Sequence, residues 1–326
     1  MEIEALHARR EDRRRALRLR RRRRRQAAGL IAVAVAAVAI VLTARSGGTS
    51  RPAGRPAGSA NSSAHTRPSH SALPRTGTGA ARATGRPGNG SLPILMYHVI
   101  APPPAGAPFP GLYVTPSEFA AQMQALKSAG WNAVTLDQVE AYWREGVPLG
   151  AGKPIVLSFD NGYQSQYTQA LPVLRRLGWV GDENIQLTGL PPSQGGLSQT
   201  QVRGLLSAGW ELDTQGFSHA DLITLDSQEL RYQVAGARTV LQQRYHVPVN
   251  WFCYPSGHYD AKVIAAVKAA GFSGSTTVVP GWAHPTEDRY RLHRLRVLGG
   301  TTAAQLLTLI AAIRDDPAAP PTYGGG

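Results

Sequence analysis

Between residues 92 and 313, short apolar runs of strand length alternate with stretches of helical periodicity. That alternation restricts the chain to an α/β architecture with a mainly parallel sheet or barrel. The clearest strand is PIVLSFD, residues 154–160, and further strand-like runs fall at 93–99, 132–136, 184–188, 211–214, 250–254, 272–278 and 290–298. Thr115-Pro116-Ser117-Glu118 reads as a helix start, with an N-cap Thr, Pro in the first turn and Glu three residues on. Gly130 then ends a helix carrying Phe119, Met123 and Leu126 on one face. Helical stripes follow at Tyr167 to Leu177, after Ser198, over 226–245, over 260–270 and over 302–313. One domain over 92–314, closed as a distorted (β/α) barrel, suits this length, with a flexible tail over 315–326.

The chain carries a formal charge of +14, unevenly spread. Residues 1–26 hold 12 Arg against 4 acidic residues, and residues 45–91 hold 7 Arg and no acid. Residues 92–326 hold 16 Lys and Arg against 17 Asp and Glu. A nucleic-acid-binding domain carries its own basic face, so this near-neutral domain excludes that partner. The apolar run 27–44 has no charge and no proline and follows six consecutive arginines, Arg20 to Arg25. It predicts one transmembrane helix with residues 1–26 in the cytoplasm and the domain extracellular, at the plasma membrane. A cleaved signal peptide is the alternative, and the long basic flank and the lack of a clear cleavage site weigh against it. Residues 45–91, rich in Gly, Ser, Pro and Arg, predict a disordered linker. A single cysteine, Cys253, excludes a disulfide framework and a multi-cysteine zinc site. It reads as a buried, inert thiol. The six tryptophans fall mostly at element junctions, where core packing is their commoner fate.

Chemistry-bearing residues gather at strand ends. His98 closes the first strand, Asp160 closes PIVLSFD, Asp213 ends another, and Tyr254 ends NWFCY ahead of Pro255-Ser256-Gly257. His219 lies in the loop after Asp213. In an α/β barrel these tips converge on one face, where active sites form. Singly, each has a plainer reading: Asp before Asn-Gly is a common turn former, and a lone His is commonly structural.

In order, the runs PILMYHV, IVLSFDNGY, WELDTQGFSHADL, FCYPSGHYD and RYRLHRLRV resemble the polysaccharide deacetylase family, the NodB-homology carbohydrate esterases of family 4 type. The resemblance covers about residues 92–313. It implies a distorted (β/α) barrel, a divalent metal such as zinc, and hydrolysis of acetyl groups on a cell-wall or other extracellular glycan, at the C–N amide bond of N-acetyl groups or, alternatively, at O-acetyl esters. Asp160 matches the family's catalytic base, and Arg294 or Arg296 is expected to face it. His219 matches a metal ligand. Asn161 stands where the family has a metal-binding Asp, and Gln215 where it has the first metal-binding His. His98, Tyr254, Pro255 and Gly257 match substrate-contacting positions. Neutral amide oxygens are poor zinc ligands, so Asp213 is expected as a replacement carboxylate if the metal is kept. A catalytically impaired glycan-binding protein is the alternative.

Overall fold

A computed structural model of the chain describes residues 83–188, 190, 195–314 and 319–324. The membrane-anchor expectation for 27–44, and most of the linker, lie outside these residues. Among the described residues no helix is long and apolar enough to cross a membrane.

In chain order the regular elements are β1 (Ile94–Tyr97), α1 (Pro116–Ser128), β2 (Trp131–Val134), α2 (Leu136–Glu145), β3 (Lys153–Asn161), α3 (Leu171–Leu177), β4 (Asp182–Ile185) and α4 (Gln199–Ser207). Then come β5 (Glu211–Thr214), α5 (Ser227–Arg231), α6 (Ala237–Tyr245), β6 (Trp251–Cys253), α7 (Ala261–Ala269), β7 (Gly274–Thr276), β8 (Leu295–Arg296) and α8 (Ala303–Ala312). The strands form one eight-stranded sheet in the order β7-β6-β5-β4-β3-β1-β8, with β2 added on β3. Every strand pair is parallel. A parallel bridge from Thr276 to Leu292 brings the segment before β8 alongside β7, so the sheet curls toward a barrel.

Local chemistry explains the element ends. Reciprocal capping boxes start α1 (Thr115 with Glu118), α2 (Thr135 with Gln138), α4 (Ser198 with Gln201) and α8 (Thr302 with Gln305). Each satisfies two backbone N–H groups that a helix start would leave unpaired. The α2 helix was not foreseen, although Thr135-Leu136-Asp137-Gln138 carries the same signature.

Alternation along β3 sets the layers. Ile155, Leu157 and Phe159 point outward into a core shared with Phe119, Met123, Leu174, Trp210 and Leu306 from the helices and connections. Val156, Ser158 and Asp160 take the opposite, inner face, as a period of two demands. At the bottom of that face Val156 packs with Ile94, Trp251 and Leu292. Higher up, the inner face is polar, and there the cleft opens. Five of the six tryptophans are buried, in keeping with a packing role.

Two expected boundaries need correction. The last linker residues are ordered on α2: Gly88 N–H donates to Tyr142 O (2.9 Å), and the Trp143 indole donates to Gly90 O (2.9 Å). The tail is likewise anchored, since Tyr259 and Tyr323 exchange two backbone hydrogen bonds (2.8 and 2.9 Å) and Ala319 is buried. Residues 315–318 lie outside the described set.

Candidate active site

The tips of β1, β3, β5 and β6 and the strand β8 surround a cleft of about 590 Å³. Of the expected residues, His98, Asp160, Asn161, Gln215, His219, Tyr254, Gly257 and Arg296 line it. Arg294 sits directly beneath. Pro255 is buried in the turn that follows β6, outside the lining. Asp213 is the clear correction. It shares the inner face with Gln215 but lies a pleat deeper, where its Oδ1 accepts from Trp251 N–H (2.9 Å). It groups with Asp182 and Glu211 and cannot serve the cleft.

Asp160 is the hub of the site and is 1% exposed. Arg294 straddles its carboxylate, Nη1 donating to Oδ1 (2.8 Å) and Nη2 to Oδ2 (3.0 Å). Asn184 Nδ2 donates to Oδ1 (2.9 Å) and Gln215 Nε2 to Oδ2 (3.2 Å). His98 Nε2 lies 3.9 Å from Oδ2. Burial alone would raise this carboxyl; the Arg294 charge, with His98 and Asn184, outweighs it and holds the group at about 2. Burial lowers His98 to about 4 against the pull of Asp160, and burial also lowers His219. Near neutral pH the cleft therefore presents one ionised carboxylate, already neutralised by Arg294, and two uncharged imidazoles.

Gln166 fixes two of the strand tips. Its buried Nε2 donates to the backbone oxygens of both His98 (2.9 Å) and Asp160 (2.8 Å). It starts a π-helical turn, Gln166–Ala170, which enters α3, and such one-turn widenings are frequent at functional sites. Backbone strain points to the same place. Of four non-glycine residues with positive φ among the described residues, Asn161 (79°), His219 (50°) and Ser256 (55°) line the cleft. At Gly257 (φ 74°), a Cβ would sit 2.3 Å from a Val278 methyl, so only glycine lets that wall close.

Several cleft residues were not legible in advance. Phe109 (69% exposed) and Leu298 (44%) form an apolar rim, and Leu112, Tyr113 and Tyr163 line the same side. Cys253 Sγ sits within hydrogen-bonding reach of Gln215 Nε2 and Arg294 Nη2 (both 3.1 Å), and burial pushes its thiol up to about 12. It is buried, as expected, and a protonated thiol is a poor nucleophile.

Residues 150–275 match the family model described as polysaccharide deacetylase. The protein named "Putative polysaccharide deacetylase YxkH" from Bacillus subtilis is 26% identical over 224 residues, 68% of this chain and 77% of that one. The fold matches the Streptococcus pyogenes deacetylase PplD in complex with acetate, with a TM-score of 0.63 at 23% identity, over 68% of this chain and 99% of that one. It also matches BC0361, a polysaccharide deacetylase from Bacillus cereus (TM-score 0.60, 25% identity, 68% and 69% covered). The chain is thus similar to polysaccharide deacetylases, in its sequence over residues 150–275 and in its fold.

The donor set of this chain does not fit the hydrolytic metal that the resemblance implies. Asn161 Nδ2 is committed to Gln186 Oε1 (2.9 Å), and Gln215 Nε2 to Asp160. Only neutral amide oxygens are left at two ligand positions, beside one imidazole, His219. A buried guanidinium already neutralises the adjacent carboxylate. A zinc-type site needs about three strong N, S or carboxylate ligands and an open position.

The buried, uncharged His98 carries its own pH signature. The unfolded chain takes up this proton near pH 6.5, the folded chain only near pH 4. Folded stability therefore falls as pH drops through that window. The difference in unfolding free energy between wild type and His98→Gln should shrink by about 3 kcal/mol from pH 7.5 to pH 4. Urea denaturation at three pH values measures it, and a constant difference would show that His98 is not held neutral.

Proposed function

We propose that this polysaccharide deacetylase-like domain holds an N-acetylated glycan in the cleft through contacts that need no metal, and that it has lost the family's metal-dependent hydrolysis. The observation that carries this reading is the clamped hub. Asp160 is fixed by Arg294, Asn184 and Gln215, while the positions that would hold a metal carry amides. An unactivated water keeps a pKa near 15.7, and a carboxylate held at about 2 is a weak base for it.

The same geometry supports sugar binding. Gln215 Oε1 is buried without a hydrogen-bond partner and suits an acetamido N–H. His98 Nδ1 is also unpartnered. Phe109 and Leu298 offer an exposed apolar edge for the C–H face of a pyranose. The volume falls within the range of small-ligand sites. Placement outside the cell on an anchor formed by residues 27–44, facing cell-wall glycan, belongs to the same proposal.

The test pairs two readouts on N-acetylglucosamine oligomers. Acetate release should be absent both with EDTA and with added zinc or cobalt, while binding persists in EDTA. Phe109→Ala should weaken binding about tenfold, roughly the contribution of one stacked ring, without altering the unfolding temperature. Acetate release that depends on zinc would overturn the proposal in favour of a working hydrolase.

A further inference from the structure

We infer that the lower end of the barrel, away from the cleft, holds one hard divalent cation, best matched by calcium, between Asp182, Glu211 and Asp213. Parallel pairing builds the cluster: Asp182 lies beside Glu211, and Asp213 is two residues further along β5 on the same face. Each carboxylate has one oxygen fixed by a backbone N–H. Leu136 N–H donates to Asp182 Oδ2, Asp137 N–H to Glu211 Oε2, and Trp251 N–H to Asp213 Oδ1, all at 2.9 Å. The first two donors open helix α2, whose N-terminus favours negative charge.

The remaining three oxygens, Asp182 Oδ1, Glu211 Oε1 and Asp213 Oδ2, accept no conventional hydrogen bond, and the Glu211 and Asp213 carboxyl groups lie within hydrogen-bonding reach of each other, as Thr135 does of Glu211. Asp182 and Asp213 are 0% exposed, so bulk solvent does not reach them. One ligand atom from each residue lies within 4.8 Å of the other two. Leaving buried carboxylate oxygens unpaired is costly, and three that converge are rarer still. Among the described residues no basic side chain forms an ion pair with any of them. The nearest further charge is another carboxylate, Asp137, already occupied by Asn250 Nδ2 and the Trp251 indole.

A cation bonded to oxygen at about 2.3–2.6 Å separates its ligands by up to roughly 5 Å, which matches this spacing. An all-carboxylate set selects calcium, magnesium or manganese over zinc. Bound there, the ion would tie the start of α2 to β4 and β5. The competing arrangement is protons shared among the three carboxyl groups, since burial raises all of them.

Full-length protein stripped with EGTA and dialysed into metal-free buffer at pH 7.5 is titrated with calcium chloride by calorimetry, and its thermal unfolding is followed in parallel. One calcium per chain and a saturable rise in unfolding temperature are expected. Glu211→Gln, at a half-buried position that tolerates the change, should weaken calcium binding at least tenfold. Asp213→Asn should abolish it, and His219→Ala should leave it unchanged. The inference is overturned by identical unfolding in EGTA and in millimolar calcium, or by calcium binding that Glu211→Gln does not affect. It is equally overturned if Glu211→Gln stabilises the protein while neither form binds calcium, because shared protons then explain the cluster.

Discussion

Arg294→Met is expected to lower the unfolding free energy by about 3–5 kcal/mol, the usual cost of stripping one partner from a buried ion pair. Arg294 is 0% exposed and spends its donors on five acceptors. Besides both oxygens of Asp160, Nε donates to Thr277 O (2.7 Å), Nη1 to Ser158 Oγ (3.1 Å) and Nη2 to Cys253 Sγ (3.1 Å). Without it, a carboxylate buried to 1% keeps only Asn184 and Gln215 as strong donors. Combining Arg294→Met with Asp160→Asn removes the stranded charge. The double variant should therefore be clearly more stable than the sum of the two single losses predicts. Urea denaturation of the four proteins gives this coupling directly. A loss below about 1 kcal/mol for Arg294→Met would mean that water reaches Asp160 and that the hub is not sealed.

On the proposed reading, Asn161→Asp combined with Gln215→His should give stoichiometric zinc binding, at least a hundredfold tighter than in the wild type, and measurable acetate release. The expectation follows from ligand chemistry, since the change restores a carboxylate and an imidazole beside His219. The backbone does not resist it. Residue 161 has φ 79°, a conformation that Asn and Asp both tolerate. Histidine at 215 also removes the amide that donates to Asp160 Oδ2. Calorimetry with zinc and an acetate assay check both parts. If the double variant binds zinc no better than the wild type, the proposal that amides at 161 and 215 deprive this chain of its metal is wrong.

Periodicity and end chemistry made most of the fold legible. PIVLSFD became the strand that carries Asp160, and the Thr115 and Ser198 starts form capping boxes as their residues indicate. Strand-tip placement brought His98, Asp160, Gln215, His219 and Tyr254 to one cleft. What was missed has physical reasons. Asp182 and Glu211 open their strands, at the end of the barrel opposite the tips, where polar residues read as ordinary strand boundaries. Asp213 looked like a tip residue, and only the depth of the pleat sends it downward. Phe109 and Leu298 carry no periodic or ionic signal, because a loop residue acquires its role from what it folds beside. The π-helical turns at Gln166–Ala170 and Tyr232–Gly236 each add a residue to a helix without disturbing the apolar stripe enough to be seen. Tyr254 shows a different limit. It borders the cleft, but its ring packs in the outer core against Phe252 and Tyr259 and its hydroxyl is spent on Tyr290 O (2.9 Å), which makes it a wall rather than a hydrogen-bonding contact.

The most direct measurement is a calorimetric titration of the EDTA-treated full chain with N-acetylglucosamine oligomers at pH 7.5. Saturable one-site binding, unchanged when zinc is added and lost when the unacetylated glucosamine oligomer replaces the ligand, is the result this account predicts. Binding that appears only once zinc is restored would contradict it.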